Sequence, residues 1–120
     1  MTSHARPHDP NCIFCKIAAG QIPSKKAHED PELLAFHDIH PWAPVHVLII
    51  PKQHIATLSD VQAGDEPLLG RMLMLAPRLM RELGVTNGFR TLINTGNDGG
   101  QEVYHLHMHV IGGPRPWLKG

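Results

Sequence analysis

The segment His105-Leu-His-Met-His-Val110 constrains this chain more than any other. Residues alternate between the two sides of a β-strand, so His105, His107 and His109 share one face while Leu106, Met108 and Val110 share the other. The apolar set needs a core to cover it, and a strand over 103–111 is expected. Neighbouring imidazoles on the open face would stand ~6.5–7 Å apart, close enough for one phosphate or metal ion to touch two. A half-exposed strand that merely carries histidines is the plainer alternative. A three-histidine metal site is another, although collinear ligands fit a tetrahedral ion poorly. The chain holds ten histidines in 120 residues, and histidine is both the commonest general acid/base and a frequent metal ligand.

The remaining elements can be placed around that strand. Cys12 to Ala19 can form a short helix ended by Gly20, with Pro23 preventing continuation. Leu33–Phe36 reads as a strand, as does the apolar run Val45–Ile50 stopped by Pro51. Leu68, Leu69, Met72, Leu75, Leu79 and Leu83 recur at helical spacing over Asp65–Leu83, with Pro67 suited to the first turn and Gly84 to the stop. Pro77 should kink this helix. Phe89–Asn94 is a further strand, followed by the turn-rich Thr95-Gly-Asn-Asp-Gly-Gly100. Strands on either side of one long helix, with loop or hairpin connections, predict an α+β domain with an antiparallel sheet. Residues 1–10 read as a disordered polar tail and 11–120 as the domain.

Eleven basic and eleven acidic side chains cancel, so no long-range field gathers nucleic acid or anionic lipid. Without an apolar run of membrane-spanning length or a signal-like N-terminus, the expected location is cytoplasmic, with reduced cysteines. Cys12-Ile-Phe-Cys15 can then be a zinc pair, a redox dithiol or two buried thiols.

His105-Leu-His-Met-His-Val-Ile111 resembles the His-x-His-x-His signature of the histidine-triad (HIT) superfamily. Asn94-Thr-Gly-Asn-Asp-Gly-Gly-Gln-Glu-Val-Tyr104 and Gly112-Gly113 resemble its Hint branch, as do Phe36-His-Asp-Ile39, Ala43-Pro-Val-His46 and Ile49-Ile-Pro-Lys-Gln-His54. The similarity spans about residues 12 to 114. It implies the HIT fold: an antiparallel sheet of about five strands, one long and one short helix, and a two-fold homodimer with a continuous sheet. The activity it implies is hydrolysis of purine nucleoside 5′-phosphoramidates to nucleoside monophosphate and amine.

The middle histidine of the family motif attacks phosphorus, and its match is His107. Imidazole suits that role because it is nucleophilic when neutral and leaves readily once phosphorylated. The resemblance places His109 and Asn94 at the α-phosphate, His46 beside the triad, Asp38 at the ribose hydroxyls and Ile39 beside the base. Gly100, Gln101 and Glu102 belong to a loop whose backbone N–H groups can face phosphate. Some members carry serine at the position of Glu102, which leaves its role open between acid, repulsion of anionic leaving groups and loop capping.

Members with the cysteine pair bind zinc through positions matching Cys12, Cys15, His54 and His105. Such a closed set makes the ion structural and not required for catalysis. For the dimer, the resemblance implies pairing of Phe89–Ile93 across the axis, with Met72 or Leu75 near it. Two other functions fit the same residues: a dinucleoside polyphosphate hydrolase or nucleotidyltransferase, and a zinc-bearing nucleotide-binding or interaction module.

Overall fold

The computed structural model describes residues 8–118; the expected tail therefore lies mostly outside the described residues, His4 included. Five strands form one antiparallel sheet in the order β1-β2-β3-β5-β4: β1 Lys26–Glu29, β2 Leu33–His37, β3 Val45–Pro51, β4 Phe89–Leu92 and β5 Met108–Gly112. Two helices complete the α+β fold, α1 Ile13–Ala18 and α2 Glu66–Glu82. No helix among the described residues is long and apolar enough to cross a membrane.

α2 forms where the apolar period predicted it. Leu68, Met72, Leu75, Ala76, Leu79 and Met80 are its buried residues, and they pack on Ala35, Val47, Ile49, Met108 and Val110 from one face of the sheet. Each such side chain contributes ~1.5–3 kcal/mol when removed from water. The helix runs through Pro77 without interruption to Glu82, with Leu83 as its C-cap, and Gly84 follows at φ +82°. The opposite face carries Leu34, Phe36, Leu48 and Ile50 against Cys12, Phe14, Cys15 and Ile17 of the α1 region. Thus α2 covers one side of the sheet, and α1 covers part of the side on which the chemistry sits.

Two expectations need correction, and one strand went unforeseen. The last strand covers Met108–Gly112 and not 103–111, so of the three histidines only His109 lies in the ladder. β3 pairs with β5 from Val45↔Gly112 to Ile49↔Met108; past that point the Leu106 N–H donates to the Ile55 carbonyl at 2.6 Å instead. Met72 and Leu75 are buried in the chain's own core, and the large apolar side chains that α2 leaves exposed are Leu73 (56 %) and Met74 (75 %). β1 was not legible in Lys-Ala-His-Glu, which has no apolar alternation. Its pairing with β2 (Glu29↔Leu34) and the 2.8 Å contact between His28 Nδ1 and Arg78 of α2 hold it as an edge.

One glycine is fixed by packing alone. A Cβ on Gly112 would meet Val85 Cγ1 at 2.7 Å and Phe89 Cβ at 3.3 Å, so β5 needs glycine where the turn after α2 crosses it.

Candidate active site

The register selects which residues face the α1 side. His109 lies opposite Leu48 of β3 and Leu92 of β4, and His46 lies opposite Ile111; paired residues project from the same face. Here a cleft of about 510 Å³ is lined by Phe14, Asp38, His40, Trp42, Leu48, Leu92, Asn94, Gly99, Gly100, Glu102, Val103, His107 and His109. A larger cleft of about 700 Å³, bounded by residues 84–90 and Gly113–Arg115 with Trp117, contains no histidine, cysteine or acid.

Backbone groups fix each imidazole in one tautomer. His107 Nδ1 lies 2.7 Å from the carbonyl of His105; a carbonyl can only accept, so Nδ1 carries the proton and Nε2 keeps its lone pair. That carbonyl is available because residues 103–107 have left the ladder. His46 Nδ1 accepts from the Trp42 N–H at 3.1 Å, so its Nε2–H donates to His109 Nδ1 at 2.9 Å. His109 therefore accepts at Nδ1 and carries its proton on Nε2. The pocket thus holds one neutral nucleophilic nitrogen and one N–H donor on rings 5.1 Å apart.

Burial pulls His107 below the ordinary imidazole value, opposed by its bond to the His105 carbonyl and by the Asp38 charge. Burial does the same to His46, again against Asp38. Desolvation disfavours the charged imidazolium, which keeps both rings neutral near pH 7. Asp38 Oδ1 accepts from the His40 N–H at 2.8 Å, and Oδ2 stands 3.6 Å from His46 Nε2.

The glycine loop before the triad is held from within. Gln101 Oε1 accepts from the Gly96 N–H at 2.9 Å, while Nε2 donates to the carbonyls of Ala56 (2.8 Å) and Val103 (3.1 Å). Gln101 is buried and does not line the cleft; it ties the loop down. A Cβ on Gly99 would lie 2.3 Å from the Thr95 carbonyl oxygen, so this close turn admits only glycine.

Of the residues expected from sequence, Asp38, Asn94, Gly100, Glu102, His107 and His109 line the cleft. His46 sits behind His109, bonded to it. Ile39 is 85 % exposed and outside the lining. Phe14, Leu48 and Trp42 were not anticipated as site residues. Phe14 packs edge-on against His107 at 5.1 Å, and only its place between two cysteines could have drawn attention to it.

The remaining triad histidine turns away from the cleft. His105 Nδ1 lies 3.3 Å from Cys12 Sγ and 3.5 Å from Cys15 Sγ, and His54 Nδ1 lies 3.3 Å from Cys15 Sγ. All four donor atoms fall within 4.8 Å of one another. A tetrahedron with metal–ligand bonds of ~2.0–2.3 Å has edges of roughly 3.3–3.8 Å, so the set fits a four-coordinate ion. His105 Nε2 donates to the Pro51 carbonyl at 2.7 Å, which leaves Nδ1 free to ligate. Burial pulls His105 down to about 4 and pushes the Cys15 thiol up to about 11.

An α+β sheet here gathers oriented imidazoles beside a glycine loop, the framework of a histidine-based site. The HIT domain family's sequence model matches residues 19–115, and the chain belongs to that family. Cys12 and Cys15 precede the matched span. The chain is similar to Protein HitA of Neisseria gonorrhoeae, 52 % identical over 87 % of this chain and 97 % of that one. It is also similar to the purine nucleoside phosphoramidase of Escherichia coli K12, 47 % identical over 84 % and 86 % of the two chains. Among solved structures, a HIT family hydrolase from Legionella pneumophila superposes with a TM-score of 0.85 at 50 % identity, covering 88 % of this chain and 95 % of that one. A histidine triad protein from Clostridium difficile superposes with a TM-score of 0.88 at 41 % identity, covering 92 % and 96 %.

Proposed function

We propose that the protein hydrolyses purine nucleoside 5′-phosphoramidates, with His107 as nucleophile. The observation that carries this is the His107 ring itself: its Nδ1 is tied to the His105 carbonyl, so the Nε2 lone pair is the reactive position. Nε2 attacks the α-phosphorus and the P–N bond breaks. Water then attacks the nucleotidyl-imidazole, releasing nucleoside monophosphate and restoring the ring. One water is consumed overall, its hydroxyl going to phosphorus and its proton to the amine. The His109 Nε2–H, Asn94 and the backbone N–H of Gly99 donate to the phosphate oxygens, whose charge grows as Nε2 attacks; the Gly100 N–H is held by the Asn97 carbonyl at 3.1 Å. Asp38 accepts from the ribose hydroxyls, and Phe14 and Leu48 supply an apolar wall for the base.

Two further observations support an amine leaving group. Glu102 lines the cleft, and its carboxylate opposes a polyphosphate product. A relative at 47 % identity bears the name purine nucleoside phosphoramidase. Zinc would be held by Cys12, Cys15, His54 and His105, where it would fasten α1 to the segment entering β5. The chain is also proposed to work as a two-fold dimer through the exposed edge strand β4, where Phe89 is 39 % exposed.

The deciding experiment compares adenosine 5′-phosphoramidate with diadenosine polyphosphates at equal concentration, for the wild type and His107→Ala. The phosphoramidate should be turned over faster. His107→Ala should retain AMP binding and lose turnover at least about a thousandfold, since nucleophile and leaving group are one residue. Faster cleavage of the polyphosphate, or more than roughly a tenth of wild-type turnover in His107→Ala, would overturn the assignment.

A further inference from the structure

Trp42 stands where two of the site's imidazoles meet. Its indole stacks on His109, with ring centroids 4.5 Å apart and planes inclined by 19°, and it packs on His46 at 4.7 Å and 53°. Its backbone N–H donates to His46 Nδ1, and its carbonyl accepts from the Leu118 N–H at 2.7 Å. The same residue lines the cleft.

These contacts do different work. The Trp42 backbone sets the His46 tautomer, and that in turn sets which nitrogen of His109 carries a proton. A hydrogen bond to His109 Nδ1 fixes one point of the ring and still allows it to tilt. The indole face fixes the plane, because offset-stacked rings resist tilting. Phe14 does the corresponding work for His107 from the other side, edge-on at 88°. The tail after β5 braces the arrangement, since Leu118 bonds the Trp42 carbonyl from beyond the sheet.

We propose that Trp42 is a positioning residue for the reaction, its indole holding the His109 N–H on the phosphate oxygens. The proposal rests on the phosphoramidase reading above. A donor aimed at charge that develops only in the transition state raises kcat more than it tightens ground-state binding. Losing the indole should therefore lower kcat and leave KM nearly unchanged.

The test compares Trp42→Leu and Trp42→Phe with wild type on adenosine 5′-phosphoramidate. AMP affinity, thermal melting and the NMR shifts of the histidine ring protons are followed in the same proteins. Trp42→Leu should lower kcat about tenfold with KM changed less than about twofold, and Trp42→Phe, which keeps an aromatic face, should recover most of the loss. The His109 ring protons, shielded by the stacked indole, should move downfield in Trp42→Leu. A purely structural role predicts a lower melting temperature with kcat per folded molecule unchanged, and that result would overturn the proposal. So would a kcat loss in Trp42→Phe equal to that in Trp42→Leu. Wild-type protein inert toward the phosphoramidate defeats both readings, whereas active wild type matched by Trp42→Leu defeats this one alone.

Discussion

Replacing Gln101 by leucine keeps the side chain's approximate volume and removes all three of its hydrogen bonds, to Gly96, Ala56 and Val103. Each is worth about 0.5–1.5 kcal/mol net, and the Ala56 and Val103 carbonyls would lose a buried donor. Gly96 is only partly buried, so water can replace its share. The sum is about 2–3 kcal/mol, which for a chain of 120 residues lowers the melting temperature by roughly 8–15 °C. Gln101→Glu is the sharper control: it keeps the shape and the acceptor but turns a carboxylate toward two carbonyl oxygens, so it should destabilise at least as much. Because Gln101 holds the loop bearing Gly99 and Gly100, AMP affinity should fall in both variants, even at temperatures where each is folded. Calorimetric melting and titration with AMP measure the two effects. A Gln101→Leu protein melting within roughly 2 °C of wild type would refute the view that this residue holds the loop. If AMP affinity fell without loss of stability, Gln101 would be a ligand to phosphate instead.

Elemental analysis should find about one zinc per chain without added metal, and Cys12→Ser should lower melting temperature more than activity per folded molecule, because a closed site leaves no coordination position for substrate; zinc-free protein with unchanged melting would remove that idea. His46 is held neutral by burial, with a folded-state value below that of the unfolded chain. Its unfolded form therefore binds a proton first, and its contribution to stability is complete above about pH 6.5 and is lost as pH falls through the folded value. Denaturant titrations between pH 7 and 5 should show stability falling with pH, and the fall should flatten in His46→Gln; a slope identical in the variant would assign the loss to other groups. Light scattering at micromolar concentration should give twice the chain mass, and Leu73→Glu should leave monomers or aggregates; a wild-type monomer would refute the dimer.

The long helix was legible because burial of one stripe demands a 3.6-residue period, and Pro67 and Gly84 mark its ends by their own backbone chemistry. β2 and β3 declared themselves as apolar runs for the same kind of reason. β1 did not, since an edge held by pairing and by Arg78 needs no apolar pattern. At the site, residue types and their alternation singled out the histidines, and the resemblance supplied which of them face phosphate. Their division of labour came from elsewhere in space. The Pro51 carbonyl turns His105 toward the cysteines, the His105 carbonyl frees Nε2 of His107, and the Trp42 N–H reaches His109 through His46. A sequence specifies that an imidazole is present and which side of a strand it leaves from. It cannot specify which ring nitrogen holds the proton, because that depends on a backbone group brought up by another part of the chain. For the same reason the backbone N–H of Gln101 was expected to face phosphate: only the fold shows that it is spent on the Gly96 carbonyl, while the side-chain amide ties down Gly96, Ala56 and Val103.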